Sequence, residues 1–272
     1  HTHEAIEAEI INGILYSQPA AHGNYLGRAD LLFDKSAKKL IKRDARLIAV
    51  DENVEVDSEL YEKFGKALAD TEKHLNESAG HAKKEINPDP TGSGQSSVQT
   101  LIAVAIAEAS GADAVIHGTL TRGRIPEGDF YNRHVWGIVP YDNQIGLASL
   151  GVIELQEILE ENANFINSWR FKGVFGITYT LKKDKAGKWK VSDIKRVDGR
   201  KLGPSERIRV AFNSHDLASG GGRFMAIRKA CLDQKAKFKL LPTDTRSAVF
   251  DYIKKQKSLN GEVSPCATII HD

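Results

Sequence analysis

The segment INPDPTGSG at residues 86–94 constrains this chain more than any other. Two prolines and two glycines in nine residues rule out regular secondary structure and place a boundary there. Upstream, residues 57–85 read as one long amphipathic helix. Leu60, Phe64, Leu68 and Leu75 recur at near-helical spacing with charged residues between them. The apolar stripe is thin, as in a helix that bridges two bodies rather than filling a core. Further upstream, AEIINGILYSQP sets Asn12-Gly13 between two apolar runs, which is a hairpin signal, and YLGRADLLFD gives a second strand pair.

Downstream of the break, helical and strand patterns mix without strict alternation. Ser96 with Gln99 forms a capping box that opens a helix through Ser110, and Gly111 closes it. DAVIH is a short buried strand. SLGVIELQEILEENA is a second helix with Val152, Leu155, Ile158 and Leu159 on one face. VFGITYTLKKDKAGKWKVSDIKR is a hairpin turning at Ala186-Gly187, RIRVAFN is a further strand, and TDTRSAVFDYIKKQ is a late helix with a threonine cap. The fold class expected is α+β with a mixed sheet. The domains expected are a β-rich segment at 1–37, a connecting segment with the long helix at 38–90, and a mixed α+β domain at 91–272.

With 272 residues, 41% of them hydrophobic, the chain can build one large core or two modest ones. Its 38 basic and 36 acidic residues leave a net charge of +2, so composition marks no global nucleic-acid binder and no nucleic-acid partner is expected. No apolar run reaches the roughly 18–20 residues of a membrane span. The run Leu101–Ala107 is cut by Glu108. The two cysteines, Cys231 and Cys266, can form one disulfide or stand as separate thiols.

Chemistry concentrates in a few stretches. HTHEAI sets His1 and His3 two residues apart, and neutral imidazoles on a turn can each ligate a metal. By itself the pair reads more readily as a tag remnant. TGSGQSS has glycines before a helix but lacks the Gly-Lys-Ser/Thr of a phosphate loop, so it is read as a structural helix entry. The remaining histidines, His117 among them, are scattered and read as surface or internally satisfied residues.

The opening histidine pair belongs to a longer run, HTHEAIEAEIINGILYSQPAAHGNYLGRADLLFD, which resembles the end of the metallophosphoesterase domain of the secreted 5′-nucleotidase family. FKGVFGITYT resembles the family's first aromatic segment, and NSHDLASGGGRF, which retains Asn213, Leu217, Ala218, Gly220, Gly221 and Phe224, resembles its second. ADAVIHGTLTRGRIPEGDF and VPYDNQIGLASLG are similar to its arginine and asparagine stretches. The resemblance covers residues 1–35 and about 95–256 and implies the C-terminal half of such an enzyme. Phe171 and Phe224 would then clamp a nucleobase between flat apolar faces. Arg122 would reach the phosphate with a forked guanidinium, with Arg124 as a second candidate, and Asn143 would contact ribose or base.

The same resemblance makes His1 and His3 ligands of a two-metal centre, zinc or manganese, that holds a phosphate ester and activates a water. The other ligands of that centre lie upstream of His1 in the family's order. The 272 residues alone are therefore expected to bind the metals poorly and to be inactive. The resemblance also implies a periplasmic or extracellular location, with which a Cys231–Cys266 disulfide is compatible but not required. Two departures matter. The family's Gly-Gly-Asp-Gly-Phe is GGGRF here, with Gly222 for aspartate and Arg223 for glycine, and the next segment, MAIRKAC, carries no carboxylate. They leave open a same-scaffold hydrolase with a non-nucleotide substrate, such as a thiosulfohydrolase, or a non-catalytic ligand-binding module.

Overall fold

Asn12 and Gly13 stand at φ 50° and 81°, the paired left-handed conformation that a two-residue hairpin turn requires. In the computed structural model, which describes residues 2–218 and 222–270, this turn joins β1 (Ala5–Ile11) to β2 (Ile14–Pro19). A second hairpin pairs β3 (Tyr25–Asp34) with β4 (Lys39–Ala49), and it continues past residue 37 to Ala49. The chain divides into two compact units, His1–Asp70 and Thr71–Asp272. The helix α1 (Ser58–Leu75) runs across the division, and Asp57 caps it by accepting the Leu60 N–H at 2.9 Å.

The helix ends ten residues before the expected residue 85. Asn76, Ser78 and Gly80 are weak helix formers. The chain instead turns into β5 (Ser78–Ala82). A Cβ at Gly80 would sit 3.1 Å from the Phe130 ring and 3.3 Å from Ile253, so close packing rather than helical propensity decides this segment. The apolar stripe of α1 is exposed, with Leu60, Phe64 and Leu68 all more than half accessible.

The larger unit continues with α2 (Ser97–Ser110), β6 (Ala114–Gly118), β7 (Gly128–Tyr131), α3 (Asn132–Ile138), β8 (Gln144–Gly151) and α4 (Val152–Ala163). Next come β9 (Lys172–Phe175), β10 (Ile177–Lys183), β11 (Trp189–Arg196), β12 (Arg207–Asn213), the single turn α5 (Ser214–Leu217) and α6 (Met225–Leu232). The chain closes with β13 (Lys239–Asp244), α7 (Thr245–Gln256), β14 (Ser258–Leu259) and β15 (Ala267–Ile270). The central sheet is mixed, in the order β13-β8-β12-β6-β9, with β12 parallel to β6 and the other neighbours antiparallel. Smaller sheets β14-β5-β7 and β11-β10-β15 flank it. This is the α+β class with a mixed sheet.

Two cores follow from strand alternation, because successive side chains leave a strand on opposite faces. Ala114 and Ile116 of β6 and Ile208, Val210 and Phe212 of β12 pack with Leu155 and Leu159 of α4 and Ile227 of α6. Val115 and Ala211, the residues between them, pack on the other face with Ile102 and Ile106 of α2 and Val249 of α7.

Local chemistry sets the ends of these elements. Both halves of the Ser96–Gln99 capping box are present, and Gly111 closes α2 at φ 64°. The cap of α7 is Asp244, not threonine. Its carboxylate accepts the Ser247 N–H at 2.9 Å, which a threonine one residue to either side cannot do from this backbone. The expected helix at 149–163 begins at Val152, since Ser149 to Gly151 belong to β8, with Gly151 N–H held by Glu154 at 3.2 Å. Cys231 and Cys266 are both free thiols.

Candidate functional site

Strands β6 and β12 run parallel and end together, at Gly118 and Asn213, and β9 starts beside them, with Gly118 opposite Lys172. The carboxyl ends of adjacent parallel strands, with loops leaving them, form the crevice in which α/β sheets place ligands. The chain sends His117, Lys172, Asn213 and Asp216 to this edge, all of them buried.

Lys172 Nζ lies 2.8 Å from Asp216 Oδ1, with the two side chains 9% and 4% exposed. Burial tends to raise the Asp216 carboxyl. The Lys172 charge and hydrogen bonds from His215 and Lys172 outweigh it and hold the group below its usual range. Asp216 Oδ2 is buried and makes no hydrogen bond among the described residues. His117 is fully buried, and burial, reinforced by Lys172, lowers its pKa to about 4 against the opposing pull of Asp216. Its Nδ1 lies 2.7 Å from the Gly118 carbonyl, which can only accept, so that nitrogen carries the proton. Nε2 then accepts from Asn213 Nδ2 at 3.3 Å. The Asn213 side-chain oxygen accepts the Asp216 N–H at 2.8 Å and so fixes the turn that carries the carboxylate.

Amide side chains splint the lysine segment. Asn162 accepts the Lys172 N–H and donates to the Lys172 carbonyl, both at 2.8 Å. Gln99 donates to the Phe171 carbonyl at 2.7 Å, and Gln95 accepts the Val174 N–H at 3.0 Å. Buried Gln95 also accepts from Cys266 Sγ at 2.8 Å, so its role at the helix entry is structural.

Phe224 is buried and stands at φ 56°, a left-handed conformation unusual for a bulky residue. Its ring meets Phe165, with centroids 5.2 Å apart at 47°, and Lys172 Nζ lies 4.2 Å from its centroid. Glu161 accepts the N–H groups of the next two residues, Met225 and Ala226, at 2.9 and 2.8 Å. Phe171, also buried, packs beside Gly94, where a Cβ would sit 3.0 Å from the Phe171 ring.

Arg122 is exposed on the loop leaving β6. Arg124 is exposed and ion-pairs with Glu85 at 3.3 Å and with Asp89 at 4.0 Å. Asn143 uses its carbonyl to accept the Thr245 N–H at 2.9 Å at the start of α7. His1 lies outside the described residues. His3 is exposed at φ 62°, with its ring 5.8 Å from that of His22. Among the described residues no three histidine, cysteine or carboxylate side chains gather to hold a metal, so these residues do not build a two-metal centre.

Three residues of the cluster do not stand out in the sequence. Lys172 sits inside the first aromatic segment, Asp216 inside the second, and His117 reads as a satisfied histidine. Each is locally ordinary. Their meeting depends on the parallel pairing of β6 and β12. The one available signal is a lysine directly after an inward-facing phenylalanine in an otherwise apolar strand.

The chain belongs to the 5′-nucleotidase, C-terminal domain family, whose sequence model matches residues 78–229. Over 234 residues it is 25% identical to the endonuclease YhcR of Bacillus subtilis strain 168, covering 84% of this chain and 18% of that protein. The trifunctional nucleotide phosphoesterase protein YfkN of the same organism is 24% identical over 240 residues, covering 82% of this chain and 16% of YfkN. A crystal structure of a putative 5′-nucleotidase from Staphylococcus aureus superposes with a TM-score of 0.76 at 16% identity, over 99% of this chain and 55% of that one. The chain thus spans less than a fifth of the curated relatives and about half of the solved structure.

Proposed function

We propose that this chain is the substrate-binding part of a metal-dependent phosphoesterase of the 5′-nucleotidase type, acting on nucleotides or related phosphate esters. The observation that carries the reading is the ring of Phe224, held in a left-handed conformation over the buried Lys172–Asp216 pair at the carboxyl ends of β6 and β12. An aromatic face beside an unpartnered carboxylate oxygen suits a base with a hydrogen-bond donor on its edge, or a ribose hydroxyl. Asp216 then supplies the acceptor missing from the helix after Phe224. Phe171 completes the clamp, Asn143 contacts ribose or base, and Arg122, seconded by Arg124, takes the phosphate.

His1 and His3 would be among the ligands of a metal centre completed by residues outside this chain. The metals would supply the activated water, while this part binds and orients the ester. Exposed Ile10, Ile11, Ile14, Leu31, Leu32 and Phe33 on the smaller unit support its packing against a further body. An exported location goes with this reading.

The test is calorimetric titration of the 272-residue chain with adenosine and AMP. Binding lost in Phe171→Ala and in Phe224→Ala, with the preference for AMP lost in Arg122→Ala, is the expected result. Absence of binding at millimolar ligand, or binding indifferent to both phenylalanines, would sink the clamp. Metal-dependent turnover by the chain alone would sink the claim that the centre is completed elsewhere.

A further inference from the structure

Beside the Phe224 slot lies a second aromatic surface. Trp169 is 63% exposed, so most of its indole faces solvent. Two guanidinium groups approach it, Arg170 and Arg223, each with Cζ 5.5 Å from the ring centroid. That distance is within cation–π range and leaves the ring accessible. The turn that presents the indole is ordered. Ser168 N–H donates to the Phe165 carbonyl at 2.9 Å, Phe171 N–H to the Ser168 carbonyl at 3.0 Å, and Arg170 N–H to Ser168 Oγ at 3.2 Å. Asn167 takes the left-handed conformation, φ 66°, that lets the chain reverse there.

The platform is continuous with the slot. Phe165, whose carbonyl closes the turn, is the ring that packs on Phe224, and Arg223 is the residue next to Phe224. Arg223 thus sets its guanidinium by the indole directly before the residue that carries the Phe224 ring. A lone exposed tryptophan would be ordinary. An open indole flanked by two cations has the composition of a site for stacked bases joined by phosphates. A free phosphate has no use for the indole, and an apolar ligand has none for the guanidiniums. The α6 N-terminus is already occupied by Glu161, so phosphate contact falls to the arginines. The near-neutral net charge of the chain does not oppose this, because a local platform rather than the global field does the binding.

Building on the proposed nucleotide slot, we infer that Trp169, Arg170 and Arg223 form a second stacking platform, which takes the neighbouring nucleotide of a short single-stranded oligonucleotide whose end nucleotide occupies the Phe224 slot.

The experiment compares AMP with the dinucleotide pApA on the full 272-residue chain by calorimetry. One additional stacked base tightens pApA over AMP by roughly 5- to 150-fold. Trp169→Ala removes that gain and leaves AMP binding unchanged, while Trp169→Phe keeps most of it. Arg170→Gln with Arg223→Gln flattens the salt dependence of pApA binding. An unchanged urea midpoint in Trp169→Ala confirms that the fold is intact. The inference is overturned if pApA binds no more tightly than AMP, or if Trp169→Ala weakens both ligands equally. Phe224→Ala separates the two readings. If it spares both ligands while Trp169→Ala still weakens pApA, the slot fails and the platform stands. If neither ligand binds at millimolar concentration, both fail.

Discussion

Replacing Lys172 with methionine isolates the buried charge at the centre of the site. Methionine keeps an unbranched stem against the Phe224 ring and removes only the ammonium. At 2.8 Å and an effective dielectric constant of about 20, the attraction between Lys172 and Asp216 amounts to about 6 kcal/mol, much of it offset by the cost of burying both ions. Removing one partner leaves the Asp216 carboxylate, 4% exposed, with His215 at 3.9 Å as its one ion-pair partner among the described residues. The expected loss is about 3–5 kcal/mol, a large part of the roughly 5–15 kcal/mol of a whole domain.

The pH dependence carries the diagnostic sign. In the native chain Asp216 titrates below its unfolded value, so its contribution is present above pH 3.8 and fades as pH falls through the lowered value. Without Lys172, burial raises the carboxyl above the unfolded value, and the penalty grows as pH rises. The deficit of Lys172→Met relative to the native chain must therefore shrink between pH 7 and pH 5. The assay is urea unfolding followed by tryptophan fluorescence, since Trp136, Trp169 and Trp189 all lie in the larger unit. Adding Asp216→Leu to Lys172→Met should recover most of the loss, because an apolar pair no longer buries a lone charge. A double variant as unstable as the single one, or a deficit independent of pH, would show that packing rather than charge was lost.

The same geometry sets two more expectations. His117 titrates at about 4, below its unfolded value of 6.5, so its contribution is complete above pH 6.5 and is lost as pH falls towards 4, on the order of 3 kcal/mol in all; His117→Asn should flatten the stability profile across that window, and an unchanged slope would refute the assignment. Gly176 stands at φ +86°, with the Asp113 carbonyl oxygen 2.1 Å from a Cβ built there, so Gly176→Ala should lower stability by more than about 1 kcal/mol; Gly92→Ala, with nothing within 4 Å, should change the thermal midpoint little.

The sequence by itself determined what depends on neighbours along the chain. The Asn12-Gly13 hairpin, the Ser96–Gln99 cap, the Gly111 stop and the hairpin at Gly187 were all legible, because turn and cap chemistry is settled within a few residues. The aromatic and glycine segments identified the family for the same reason: they are contiguous strings. What was not legible involves residues far apart in sequence. The segment 78–85 was expected to continue the helix, yet Gly80 is captured as strand by Phe130 and Ile253, which lie 50 and 173 residues further on. Only the tertiary structure brought Lys172 to Asp216 and His117 to Asn213, through the parallel pairing of β6 with β12 and the antiparallel entry of β9. Such charges signal their importance only when buried together, since burial turns a common lysine and a common aspartate into a pair that neither can leave without a large desolvation cost. Chain-local rules carry no information about that burial. The packed sheet edge decides it.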